Sequence, residues 1–98
     1  MWIHSVYFWL KPGITGAEEQ EFLRGVESLT KIQSVRNGWY GKPASTDRPV
    51  IDRSYSYGLV ILFENLAGHD AYQIDPVHTA FRSLHHMWSN VVIYDFES

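Results

Sequence analysis

Tyr72 and His78 are the pair most suited to chemistry in this chain. They set a phenol and an imidazole six residues apart within Tyr72-Gln73-Ile74-Asp75-Pro76-Val77-His78-Thr79-Ala80-Phe81. Between them, Asp75 and Pro76 read as a helix restart. Aspartate suits the N-cap, and proline suits the first helical position, where no N–H is needed. His78 then falls at the third helical position, near the positive end of the helix dipole, which disfavours the imidazolium form. A neutral imidazole beside a phenol is suited to acid–base work on a carbonyl compound. The plainer alternative is that Asp75-Pro76 only kinks a helical connection and both rings fill a core.

The remaining histidines are His4, His69, His85 and His86. His4 lies on an apolar strand face and reads either as a core residue or as a contact for a ligand. His78 and His85 share a predicted helix face but stand about 10.5 Å apart along its axis, too far for one metal ion. His85 and His86 point about 100° apart on a helix. The chain has no cysteine, no His-Glu-x-x-His spacing and no carboxylate cluster beside the histidines. No metal and no cofactor are therefore expected. Glycine-rich phosphate loops and nucleophile elbows are also missing. Glu18, Glu19, Glu21 and Glu27 read as a solvated helix face. What remains is His4, Tyr57, Tyr72 and His78, set among Val6, Phe8, Leu23, Val26, Leu59, Phe81 and Trp88. Such a lining suits a hydrophobic small molecule carrying a carbonyl or phenol, although the same residues would also make a core.

Several elements must position these groups. Residues 2–10 form a predicted strand with His4, Val6, Phe8 and Leu10 on one face and Ile3, Ser5, Tyr7 and Trp9 on the other. Thr15 and Glu18 make a capping box for a helix running to about residue 30, with Phe22, Val26 and Leu29 on its apolar stripe. Gly25 inside that helix leaves room for a close neighbour. A short strand at residues 38–41 leads into a loop at 42–52. The strand at 55–64 puts Tyr57, Leu59, Ile61 and Phe63 on one face. Asn65 caps a helix at 66–72. A second helix is predicted over 76–88, with Val77, Phe81, Leu84 and Trp88 as its stripe. A last strand follows at 91–96. This βαββαβ order predicts an α+β, ferredoxin-like fold with an antiparallel sheet. Helices can cover only one sheet face, yet the strands at 2–10 and 55–64 are apolar on both. The uncovered face predicts a homodimer packed sheet against sheet.

Composition bounds the function. A chain of 98 residues predicts one domain, spanning 1–98. An aromatic share of 15% favours an aromatic core, interface or pocket. A net charge of −3 without a basic run excludes an electrostatic case for nucleic acid. No apolar run of about 18 residues exists, so no membrane span is expected. The first residues read as a strand rather than a signal peptide, which makes a cytoplasmic protein the expectation.

Two stretches also carry a family resemblance. Ile3-His4-Ser5-Val6-Tyr7-Phe8-Trp9-Leu10-Lys11-Pro12-Gly13 resembles the first strand of the stress-responsive A/B barrel (Dabb) domain. Ala71 to Phe81 resembles that family's Tyr, Pro-x-His and Phe signature, and Phe63-Glu64 its strand ending. The resemblance implies a dimeric α+β barrel. A plant polyketide cyclase of the family closes a linear chain by aldol condensation without a metal or other cofactor. By that resemblance, His78 would remove a proton next to a carbonyl, Tyr72 would hydrogen-bond the oxyanion, and His4 would match a first-strand histidine. That cyclase has a histidine at the position of Tyr57 and larger aromatics at Leu23 and Val26, so the pocket floor is expected to differ. Three functions stay open. The preferred one is a homodimeric domain of unassigned activity that binds a hydrophobic small molecule between sheet and helices. The others are a cofactor-independent cyclase-like enzyme using Tyr72 and His78, and a non-catalytic assembly protein.

Overall fold

The computed structural model describes residues 1–98. In chain order the elements are β1 (Trp2–Leu10), α1 (Gly16–Leu29), β2 (Asn37–Gly41), β3 (Tyr57–Phe63), α2 (Leu66–Gln73), α3 (Pro76–Arg82) and β4 (Trp88–Glu97), with a 3₁₀ turn at His85–Met87 before β4. The four strands form one sheet in the order β2-β3-β1-β4, every neighbour antiparallel. This is the ferredoxin-like α+β arrangement that the βαββαβ pattern predicts.

The central position of β1 follows from its composition, since only a strand apolar on both faces belongs between two others. Its register assembles the inner face. His4 stands opposite Ile61 and Asp95, Val6 opposite Leu59 and Ile93, and Phe8 opposite Tyr57 and Val91. Residues directly opposite share a face. The helices therefore look down on alternate residues from all three strands.

Local signals start the helices where the sequence places them. Thr15 Oγ1 accepts from the Glu18 N–H at 3.1 Å while the Thr15 N–H donates to Glu18 Oε1 at 3.0 Å. The Asn65 side chain accepts from the Gly68 N–H, and that of Asp75 from the Val77 N–H at 2.8 Å. Phe22, Val26 and Leu29 of α1 are buried with Val6, Leu59, Ile61 and Phe63 of the sheet. Gly25 has the packing role suggested by its size. A methyl group there would lie 2.8 Å from Cδ1 of Phe81, so its absence lets α3 approach α1.

The helix expected over 76–88 stops at Arg82. Ser83 Oγ donates to the Ala80 carbonyl, a local bond that competes with helix propagation. Two turn bonds follow, from Leu84 N–H to Phe81 O and from Met87 N–H to Leu84 O. The Lys11 N–H then takes the Met87 carbonyl at 3.0 Å, and Trp88 pairs with Leu10 as the first residue of β4. Strand pairing thus wins over helical spacing at Trp88. Its ring still meets Phe81, stacked at 5.3 Å, but it does so from the sheet. His85 accordingly does not share α3 with His78.

The outer sheet face carries no helix. Trp39, Tyr94 and Phe96 on that face are 54%, 64% and 56% exposed. No helix is long and apolar enough to cross a membrane.

Candidate functional site

The inner face of β1 and β4 and the helices α2 and α3 enclose a cavity of about 330 Å³. That volume lies within the range of small-molecule sites. Of the residues expected at a site, His4, Val6, Phe8, Leu59, Tyr72, His78, Phe81 and Trp88 line it. Tyr57, Leu23 and Val26 do not. Tyr57 is buried under α1, where its hydroxyl donates to Glu19 Oε1 at 2.9 Å. Burial, with that bond, pushes its phenol up to about 12. Val26 is sealed in the core and Leu23 packs against its edge.

Tyr72 is the centre of the lining. It is 1% exposed and its ring is flanked by two imidazoles, His78 at 4.8 Å and His4 at 5.8 Å, both edge-on. The kink at Ile74 and Asp75 produces this geometry. It ends α2 just beyond Tyr72 and starts α3 so that the ring of His78 turns back onto the phenol. Burial alone raises the Tyr72 pKa well above that of a free phenol, so the hydroxyl stays protonated and available as a donor.

His78 is half-buried, and its Nδ1 is sealed from solvent without a partner in the protein. Its pKa is lowered, first by burial and then by the Arg82 guanidinium. The sequence expectation of a neutral imidazole thus has desolvation as its leading cause. His4 is 3% exposed, and its Nδ1 meets Asp95 Oδ1 at 2.5 Å. Its pKa is also lowered, because burial outweighs the raising effect of Asp95. Asp95 Oδ1 accepts from the Nδ1–H of neutral His4, a tautomer that leaves Nε2 as the acceptor.

No carboxylate cluster was expected beside the histidines, and the fold brings one carboxylate, Asp95, to them. His4, His69 and Asp95 bring ligand atoms within 4.8 Å of one another. The 2.5 Å separation of His4 Nδ1 and Asp95 Oδ1 is nevertheless that of a hydrogen bond. Two donors on one ion with bonds of about 2 Å stand roughly 3 Å apart or more. His69 packs against Trp2, His4 and Phe63 and reaches Gln73 through Nε2.

Leu29, Gln73, Arg82, Val91 and Ile93 complete the lining and were not among the residues expected at the site. Val91, Ile93 and Asp95 alternate along one strand, and Arg82 stands one helical turn beyond His78. These periods were visible, but which face turned inward was not. The exposed members Arg82, Val91 and Ile93 mark the mouth.

Likeness to known proteins follows the fold. A family protein with a ferredoxin-like fold from Mesorhizobium loti is 25% identical, with a TM-score of 0.79 over 99% of this chain and 95% of its own. A dimeric ferredoxin-like protein of unknown function from Thermobifida fusca is 21% identical, with a TM-score of 0.77 over 97% and 88%. A hydroxynitrile lyase from Passiflora edulis is 14% identical, with a TM-score of 0.78 over 97% and 90%. Among curated proteins none matches significantly. The stress responsive A/B barrel domain profile matches residues 3–98, and on that match this chain belongs to the stress responsive A/B barrel domain family.

Proposed function

We propose that this chain binds a hydrophobic small molecule in the cavity between sheet and helices, and that it does so as a homodimer joined through the outer sheet face. One observation carries the binding reading. An apolar cavity of about 330 Å³ is lined by Tyr72, whose hydroxyl has no partner in the protein, and by His4 and His78. A few polar groups in an apolar lining orient a small molecule, and an unpaired hydroxyl there is suited to a ligand's oxygen. The exposed aromatics of the outer face, together with the dimeric Thermobifida relative, support the homodimer. Calorimetric titration with decan-1-ol tests the binding. The alcohol is expected to bind the native protein and to lose its site when Ile93→Trp fills the mouth. Binding unaffected by Ile93→Trp, or no binding, overturns the reading.

A second reading is favoured by the contact between the Tyr72 and His78 rings. In it the site is a cofactor-independent acid–base enzyme. Neutral His78 takes a proton from the carbon next to a bound carbonyl. The C–H electron pair moves into the C–C bond and the carbonyl π pair moves onto oxygen, which receives a hydrogen bond from the Tyr72 hydroxyl. The enolate carbon then adds to a second carbonyl, and the imidazolium returns its proton to the new alkoxide. Deuterium exchange next to the carbonyl of 2-decanone, followed by NMR, reports the first step directly. Exchange is expected to accelerate with the native protein and to fall in His78→Ala and Tyr72→Phe. Full exchange in both variants rules out the roles assigned here.

A further inference from the structure

The cavity wall carries a single formal charge, and it sits at the mouth. Arg82 is the last residue of α3, exposed, and part of the lining. No carboxylate lines the cavity. Its two imidazoles are held towards their neutral forms by burial.

The guanidinium is also unpaired within the fold. The Lys and Arg ion pairs are Lys31 with Glu27 and Arg36 with Glu64. Asp75, the cap of the same helix, accepts from the Val77 N–H, and Asp95 pairs with His4. The half-buried Gln73 adds a neutral amide to the same lining. A cation at the rim of an apolar space, in a chain of net charge −3, is a local reversal of sign. A guanidinium presents its donors in a planar fork that matches a carboxylate.

We infer that the ligand of this cavity is an amphipathic carboxylic acid, its apolar body against Phe8, Leu59, Phe81 and Trp88 and its carboxylate at the mouth on Arg82. The inference rests on the binding reading above and adds the ligand's charge. Because Arg82 is exposed, the pair is an open one, and the carboxylate is expected to add about fivefold in affinity at low salt.

Three probes with the same tail, decanoate, decan-1-ol and decyltrimethylammonium, separate the possibilities by calorimetry. The expected order is decanoate, then decanol, then the cation. The lead of decanoate over decanol should vanish in Arg82→Gln and shrink in high salt. Arg82→Glu should favour the cation. Equal affinity for decanoate and decanol in the native protein overturns the inference, as does a lead that survives Arg82→Gln. In either case decanol binding that Ile93→Trp abolishes leaves the cavity reading in place. Failure of all three probes to bind removes both.

Discussion

The ring of Tyr72 belongs to the core, while its hydroxyl has no partner in the protein. Its ring is fully buried against Phe63, His4 and His78, so Tyr72→Ala should cost about 3–5 kcal/mol. Its hydroxyl is paired with nothing in the protein, so Tyr72→Phe should stay within about 0.5 kcal/mol of the native chain in urea denaturation. A loss above about 2 kcal/mol would show that the hydroxyl holds the fold together. The two imidazoles make a pH prediction. The folded pKa values of His4 and His78 lie below the ordinary 6.5. Between the folded and unfolded values the unfolded chain binds more protons, so stability rises with pH there. The contribution is complete above about 6.5 and is lost as pH falls through the depressed values. Ring NMR titration should place both midpoints below 6.5. In Asp95→Asn the raising effect on His4 disappears, and the His4 midpoint should fall further; an unchanged midpoint would mean that the pair does not form in solution.

At the scale of elements, the site depends on how closely α3 can approach. Gly25 permits the contact with Phe81, and Phe81 forms part of the cavity wall. An alanine at Gly25 gains about 1 kcal/mol of helix propensity. Its methyl group would meet Phe81 at 2.8 Å, and the strain should prevail, for a net loss of about 1–2 kcal/mol and weaker decanol binding. A stabilised variant that binds normally would show that α3 has slack. The cap between α2 and α3 is more ordinary. Asp75→Ala removes an acceptor for the Val77 N–H and should cost about 1 kcal/mol by the same denaturation. The end of α3 shows the limit of spacing arguments. Phe81, Leu84 and Trp88 fit a helical stripe, but Trp88 gains a backbone partner in Leu10 and stacks on Phe81 from β4. A stripe of a few residues does not distinguish one long helix from a short helix followed by a strand.

For the whole molecule, the outer sheet face is the larger commitment. Tyr7, Trp9, Tyr55, Val92 and Tyr94 line a shallow hollow there, and Trp39 and Phe96 extend its apolar surroundings. One layer of helices cannot cover both faces of a sheet, and an exposed aromatic face of this extent is best buried against its own copy. Sedimentation equilibrium at micromolar concentration should give a dimer. Tyr94→Asp, on the most exposed aromatic of the face, should shift it to monomer while circular dichroism stays native. A native chain that sediments as a monomer removes the dimer proposal.

Features satisfied within a few residues of chain were legible in the sequence. Thr15 with Glu18, Asn65, and Asp75 with Pro76 set three helix starts, because a cap is satisfied within a few residues of chain. Alternation along β1 and β3 settled which residues share a face, since the strand period is two. The order of elements then indicated the α+β fold. The cavity arises from contacts between distant segments. His4 and Asp95 are 91 residues apart and meet because β1 and β4 pair in one register. A shift of one residue would have turned Asp95, Ile93 and Val91 to the opposite face. The same docking sent Tyr57 and Val26 into the core and brought Leu29 and Arg82 to the wall. Register and helix approach are fixed by long-range hydrogen bonding and close packing, whose free energy is not written in the spacing of any one segment.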